Sequence, residues 1–467
     1  MTTPLGSSPV PRDCELAVVG AGIAGLAAAW QSRERDVLVL ESEPRIGGRI
    51  RSEPRGDYWL NLAAHIFPPP ESNLGRLVTE LGLETVPVPG TGMGVFLNGR
   101  VVAAGRPESY PFRLRTSAAG RISLARAGQK IRRGVSEYLR LAERRPGDSP
   151  AAVRARLLAY RDDATFADFL GGLHPDVEAL LRAAVNRVSA EPEALSAGAG
   201  ITQFAATFSG GASIYHRNLP GGTGVLVDRL ERALAGRIVK QAEVLRVANT
   251  GAGVRLIVRH GGSETEVNAR AAIVATPAFL TRRIVDDQPA ELARALDAIR
   301  YGPYVVAALL TGEKAPMPWD RIYAVVVAAK SFNMFFNTAN VLRQAHERRP
   351  GGSITVYGAA GLGTRLLQED DESVIRTFSR DLQAVFPAAE GIVEEVMIQR
   401  WTHGIPYSTP GRSAYQAPLE QPLGRILLAG DYLGERGGMD TAATSGLEAA
   451  AAAGTLLDRQ RHMAVTG

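Results

Sequence analysis

The sequence predicts an α/β protein of at least two domains, and three observations carry that prediction. Residues 15–40 alternate strand, glycine turn, helix and strand; the stretch "GRILLAGDYLGERGGMDTAATSGLEAAAAAGTLL" near the other end has the order strand, Gly-Asp, loop, helix; and 467 residues with 45% hydrophobic content exceed what one core supports. Strands alternating with helices belong to a mostly parallel sheet with helices on its faces.

The first unit reads "ELAVV", "GAGIAG", "LAAAWQSR", "DVLVL". Its turn is Gly20-x-Gly22-x-x-Gly25, with Ile23 and Ala24 inside it, and Glu41 follows the second strand. The first glycine permits a tight turn, the second lets backbone approach a pyrophosphate, and the third lets helix pack closely on sheet. Unpaired N–H groups and the dipole at the helix N-terminus favour phosphate. An acid at the end of the next strand accepts hydrogen bonds from a ribose and repels a 2'-phosphate. A GxGxxG alone is weak evidence; set between two strands and followed by that acid, it predicts a Rossmann-like dinucleotide site. The segment "ESEPRIGGRI" (41–50) then adds Arg45, Gly47, Gly48 and Arg49. Two residues without side chains allow close approach to a ligand, and a guanidinium complements an anion.

Glu41 followed by Arg-x-Gly-Gly-Arg resembles the signature of the FAD-binding flavin amine oxidase superfamily, which includes monoamine oxidases, amino-acid oxidases, protoporphyrinogen oxidases and carotenoid desaturases. Further stretches are similar in the same order: "LPGGTGVLVDRLERAL" (219–234), "VNARAAIVATPAFL" (267–280), "RWTHGIPYSTPG" (400–411) and the closing "GRILLAGDYLGERGGMDTAATSG". The resemblance implies noncovalent FAD, since no late cysteine is present to anchor it. It implies that Gly47, Gly48 and Arg49 run along the diphosphate and ribityl chain, that main chain at Val244 meets the adenine, and that Gly430 and Asp431 meet the ribityl or phosphate region. It also implies that the helix starting near Met439, with Asp440 and Thr441, aims its N-terminus at the flavin. The implied fold is a discontinuous FAD domain of the GR2 type, near 13–75, 213–286 and 425–460. A substrate domain of α+β character takes 76–212 and 287–424, with a helical insert at about 113–200.

Two expected features of amine oxidases are absent. A lysine water-linked to the flavin would fall at Val306 or Ala307, and the paired aromatics that hold an amine would fall at Gly404 and Met439. The stretch 81–114, with Leu-Gly-Leu, valine-proline and an Asn-Gly-Arg hairpin, is more similar to protoporphyrinogen oxidases, although the loop around Glu435, Arg436 and Met439 departs from them too. The implied reaction is removal of hydride from a carbon next to nitrogen, or from an allylic or pyrrolic carbon, of a bulky molecule, with O2 as acceptor and peroxide released. Amine or amino-acid oxidation and a non-redox flavin isomerase stand as alternatives. Pocket candidates are His65, His403, Tyr407 and Met439, with Trp401, Tyr215, His216, Glu435 and Arg436 as further possibilities. His65 could steer substrate or titrate near neutral pH, or be a hydrogen-bonded structural residue; Tyr407 and Trp401 could equally be packed aromatics.

Composition bounds the remaining classes. The charge is +5 from 53 basic and 48 acidic side chains, but 113–161 holds thirteen Arg or Lys against three acids, leaving 40 basic and 45 acidic elsewhere. That stretch reads as a basic amphipathic helix or helical pair, a solvated face or a contact for an anionic membrane surface or acidic partner. The lone Cys14 leaves no internal disulfide and disfavours a cysteine metal site. No apolar run approaches the roughly 18 residues of a spanning helix, and no export signal is visible, so the cytoplasm is the expected compartment. No hydrolase motif, metal motif or nucleic-acid call competes. A small organic substrate is the expected partner, with monomer and homodimer both open.

Overall fold

The computed structural model describes residues 10–105, 109–208, 217–344 and 348–466. Its first sheet orders strands Ile238–Val239, Val37–Leu40, Asp13–Val19 and Ser263–Val274 side by side in parallel. The last of these is 12 residues long, and on its far side it takes two partners. Ile426–Leu428 runs parallel to its end, and the antiparallel strands Val254–His260 and Glu243–Asn249 extend from its start. Val37–Leu40 is buried along its whole length, as expected of a strand covered on both faces. One core on this sheet unites Leu16, Val18, Val39 and Ile273 with the helix Ile23–Gln31 and the closing helix Met439–Thr466. The opposite core joins Ala17, Leu38 and Val274 to the helices Ala278–Ile284 and Ala290–Ala298.

The second sheet has the order Val393–Tyr407, Arg300–Thr311, Gly352–Ala359, Met334–Asn337, Ile322–Val327, Thr91–Leu97 and Arg100–Val102. All neighbours are antiparallel except Ile322–Val327 with Thr91–Leu97. The hairpin around Asn98 and Gly99, both at positive φ, therefore leaves its sequence neighbours and completes the edge of a sheet built mainly from the distant segment 300–407. One face carries Val305, Ala307, Leu309, Ile354 and Val356 onto the helix Asp371–Val385. The other face looks toward strand Tyr58–Asn61, through Ser353 Oγ donating to Trp59 O and Thr355 Oγ1 donating to Asn61 O, and toward the helices of the insert.

Within the insert, Ala118–Ala142 forms one 25-residue helix. Its Ser117 N-cap accepts from Gly120 N, and Ala127, Ile131, Val135 and Tyr138 turn inward. Arg121, Arg126, Arg132, Arg133 and Arg140 are exposed, so the amphipathic reading of the basic stretch matches the observed faces. Among the described residues no helix is long and apolar enough to cross a membrane.

Candidate cofactor and substrate site

The three glycines of the first turn answer to three different demands. Gly20 has φ +95°, and a Cβ on Gly25 would lie 1.9 Å from the Gly20 carbonyl oxygen, so both are required by the protein itself. Gly22 has an ordinary φ of −71° as the N-cap of Ile23–Gln31, and a Cβ there would meet no protein atom within 4 Å. Neither conformation nor packing explains it; an open cradle at an uncapped helix N-terminus does. Gly48 lies against that cradle, 3.2 Å from the Gly22 Cα by its missing Cβ, and Gly47 N donates to Ala21 O at 2.8 Å.

Glu41 is buried at the rim, where its carboxylate accepts from Ala21 N (2.7 Å) and Glu43 N (2.9 Å). The segment bearing Val244 is tied beside it by Ala242 N donating to Glu41 O at 2.8 Å, and Val244 itself is buried next to a register shift in its strand. Arg45 donates to the carbonyls of Ile46, Gly48 and Ile50, so it holds the glycine turn in shape. Burial pushes its pKa down, with Arg51 nearby acting in the same sense.

Across the chain, Arg49 joins the two ends of the sequence. Its Nη2 donates to Asp431 Oδ1 at 2.8 Å and its Nη1 to Gly404 O at 3.0 Å. Burial opposes the Arg49 charge, but the Asp431 carboxylate more than offsets it and holds the guanidinium above its ordinary range. Losing either member would strand the other, at a cost on the order of 3 kcal/mol. Gly430 N donates to Ser445 Oγ on the closing helix, and a Cβ on Gly446 would sit 2.0 Å from Ala24 O, so the first and last helices touch backbone to backbone. Met439 is buried in the same core. Asp440 Oδ1 accepts from Leu74 N at 3.1 Å, and Thr441 Oγ1 donates to Arg436 O at 2.7 Å; both side chains tie the loop down. Burial raises the Asp440 pKa.

One face of the second sheet carries a cluster of aromatic rings. Tyr304 meets Tyr357 edge-on at 5.2 Å, Tyr357 stacks on Phe336 at 5.8 Å, and Phe336 meets both Tyr323 (5.5 Å) and His65 (4.6 Å). Of these residues only His65 stands out from the sequence. The alternation in "YGPYVVAALL" could have flagged Tyr304, because Val305, Ala307 and Leu309 occupy the opposite, helix-covered face. Gly404 lacks a side chain because a Cβ there would fall 2.3 Å from the Tyr304 ring. Val306 and Ala307 are buried in the same strand, paired with Gln399 and Ile398.

His65 is buried, with Nδ1 within 3.0 Å of Asn61 Nδ2 and 3.1 Å of Ala63 O, while Nε2 has no partner among the described residues. Burial pushes its pKa down to about 4, so it is neutral near pH 7 and the neutral-pH titration open from sequence is removed. His403 is exposed and rests on Phe279 at 4.4 Å, away from that aromatic cluster. Tyr407 is half-buried against the helical insert, and Trp401 donates from Nε1 to Leu62 O at 2.8 Å. Glu435 accepts from Tyr138 OH at 2.7 Å. Tyr215 and His216 lie outside the described residues.

A dinucleotide cradle on a split parallel sheet, roofed by a second sheet with an aromatic face, defines an FAD-dependent oxidoreductase. The chain belongs to the flavin containing amine oxidoreductase family, whose model matches residues 23–453. Coproporphyrinogen III oxidase of Mycobacterium tuberculosis (strain ATCC 25618 / H37Rv) is 28% identical over 446 residues, 89% of this chain and 92% of that protein. Flavin-containing amine oxidase B of Sus scrofa is 27% identical over 297 residues, 60% of this chain, and the match spans only 54% of that relative's length. The solved structure of cyclohexylamine oxidase from Brevibacterium oxydans IH-35A shares the fold with a TM-score of 0.75 at 19% identity, covering 96% of this chain and all of that one.

Proposed function

We propose that this protein is an FAD-dependent oxidase that removes hydride from a C–H bond next to nitrogen, or from an allylic or pyrrolic carbon, of a bulky organic molecule. Molecular oxygen is the acceptor and hydrogen peroxide the product. The observation that carries the reading is the pair of tyrosines on the second sheet: Tyr304 fills the space beside Gly404, where a second aromatic would be needed to clamp a small amine, and the half-buried Tyr357 stands beside it, with Phe336 and Tyr323 packed in the core behind them. Such a surface suits a broad, flat substrate. The similarity to coproporphyrinogen III oxidase over nearly the whole chain supports the same choice.

The chemistry supplied by bound FAD is acceptance of a hydride and its delivery to oxygen. The chain's own groups bind and orient. Gly20, Gly22, Ile23, Ala24 and Gly25 would hold the diphosphate at the helix N-terminus, Glu41 the ribose hydroxyls and main chain at Val244 the adenine, while Gly47, Gly48, Arg49, Gly430, Asp431 and the helix starting at Met439 would hold the remainder of the cofactor. These belong to a cofactor domain near 13–75, 213–286 and 425–460, and the remainder of the chain holds substrate. Neutral His65 can offer one hydrogen bond from Nε2, as donor or acceptor according to tautomer, but carries no proton charge at working pH. The test is a visible spectrum of the purified protein followed by peroxide release on a panel of porphyrinogens, cyclic imine precursors and primary amines. Flavin that reoxidises in air and turns over the ring substrates meets the proposal. Flavin that serves only small primary amines, or turns over only with added reductant, overturns it.

A further inference from the structure

Arg412 opens the short turn Arg412–Tyr415, directly after Gly411 at φ +79°, and its side chain is buried. Its Nη2 donates to Tyr432 O and to Gln416 Oε1, both at 2.9 Å. Gln416, buried at the start of the short helix Gln416–Glu420, donates from Nε2 to Leu433 O at 2.7 Å. Two side chains thus hold consecutive carbonyls of the turn Asp431–Leu433, whose first residue pairs with Arg49.

Both holders are tied in turn to the helical insert. The Asp162 carbonyl accepts from Gly411 N at 2.7 Å and its Oδ2 from Ser413 N at 2.8 Å, so Asp162 grips the backbone on either side of Arg412. Glu420 Oε1 accepts from Gln416 Nε2 at 2.7 Å and from Arg154 Nε at 2.5 Å, and Arg154 reaches on to Glu448 of the closing helix. Burial pushes the Arg412 pKa down to about 10, with Asp162 and Glu420 opposing the fall, so the guanidinium stays charged at neutral pH. Burying that charge costs free energy, and what it secures is a charge-assisted hydrogen bond, stronger and more directional than a neutral one, on the turn that carries Asp431.

We propose that Arg412 and Gln416 are positioning residues for the cofactor site: they fix the Asp431 turn from the insert, so that retention of FAD depends on the insert's grip on residues 411–420. This rests on the cofactor reading above, in which Asp431 lines bound FAD.

The test uses full-length apoprotein prepared from the holoprotein, titrated with FAD by flavin fluorescence, with a melt recorded for every variant. Arg412→Met should raise the FAD dissociation constant roughly tenfold, Arg412→Lys should recover part of the loss, and Gln416→Met and Asp162→Ala should each weaken binding about threefold. Leu382→Ala, in the core of the second sheet, is the control: it should lower the melting temperature while leaving the constant within about twofold of the parent. In an Asp431→Asn background the effect of Arg412→Met should shrink to about twofold, because both act on one contact. A constant unmoved by Arg412→Met, Gln416→Met or Asp162→Ala, an equal loss in Leu382→Ala, or full additivity with Asp431→Asn each overturns the proposal. Should Arg412→Met not fold, Arg412→Lys and Gln416→Met decide by the same criteria. FAD that fails to bind the parent, or that binds parent and Asp431→Asn equally, overturns instead the cofactor reading on which the proposal rests.

Discussion

Gly22 and Gly25 stand three residues apart in one motif, yet they predict opposite outcomes on substitution. A methyl at Gly25 would collide with the Gly20 carbonyl at 1.9 Å, whereas a methyl at Gly22 meets no protein atom and instead enters the cradle. Gly25→Ala should therefore lose about 1–3 kcal/mol of stability in urea titration. Gly22→Ala should stay within about 0.5 kcal/mol of the parent while its flavin-to-protein absorbance ratio collapses. Equal flavin content in Gly22→Ala and parent would remove the cradle from that position. His65 gives a pH prediction. Its folded pKa is depressed from 6.5 to about 4, so the unfolded chain binds the extra proton first as pH falls. The stability present above pH 6.5 should decline between pH 6.5 and 4, and His65→Phe should flatten that decline in a series of melts. A histidine in "NLAAHIF" was legible as a candidate; its neutrality was not, because burial beside Phe336 and Tyr323 is contributed by strands more than 250 positions away.

At the level of elements, the contact between the first and last helices decides whether the cofactor face closes. Alanine is worth about 1 kcal/mol more than glycine inside an isolated helix. Gly446→Ala nonetheless should destabilise, since its Cβ would lie 2.0 Å from Ala24 O on the neighbouring helix. The expected result is a lower unfolding midpoint together with reduced flavin retention; a gain in stability would mean that the helices do not pack as described. The same contact shows where reading by element succeeds and fails. The strands Arg300–Thr311, Ile322–Val327 and Gly352–Ala359 fall on apolar runs such as "YVVAALL" and "IYAVVVAA", because runs of buried β-branched and aromatic residues between turns are a local signal. The continuous stretch "IVKQAEVLRV" (238–247), by contrast, is divided between two strands, Ile238–Val239 and Glu243–Asn249, in different parts of one sheet. The break is where Ala242 N bonds to Glu41 O, a long-range contact that no local pattern encodes.

For the whole molecule, closure of the first sheet depends on segments from the beginning, middle and end of the chain, and the proposed cofactor sites lie where those segments meet. Unfolding should accordingly be linked to flavin. Adding FAD to deflavinated protein at about 1,000 times its dissociation constant should stabilise by about 4 kcal/mol and raise the melting temperature in proportion to the logarithm of concentration. A deflavinated form that melts with the holoprotein would separate folding from binding. What the sequence by itself determined was the α/β class, the dinucleotide turn with its terminal acid, and the family resemblance, because each is written in residues close together whose spacing follows from strand and helix geometry. Only the tertiary structure decided that Arg49 meets Asp431 and that Tyr304 occupies the space Gly404 vacates. Those facts depend on which distant side chains share a low-dielectric interior, and burial and charge pairing are properties of that assembly rather than of any segment.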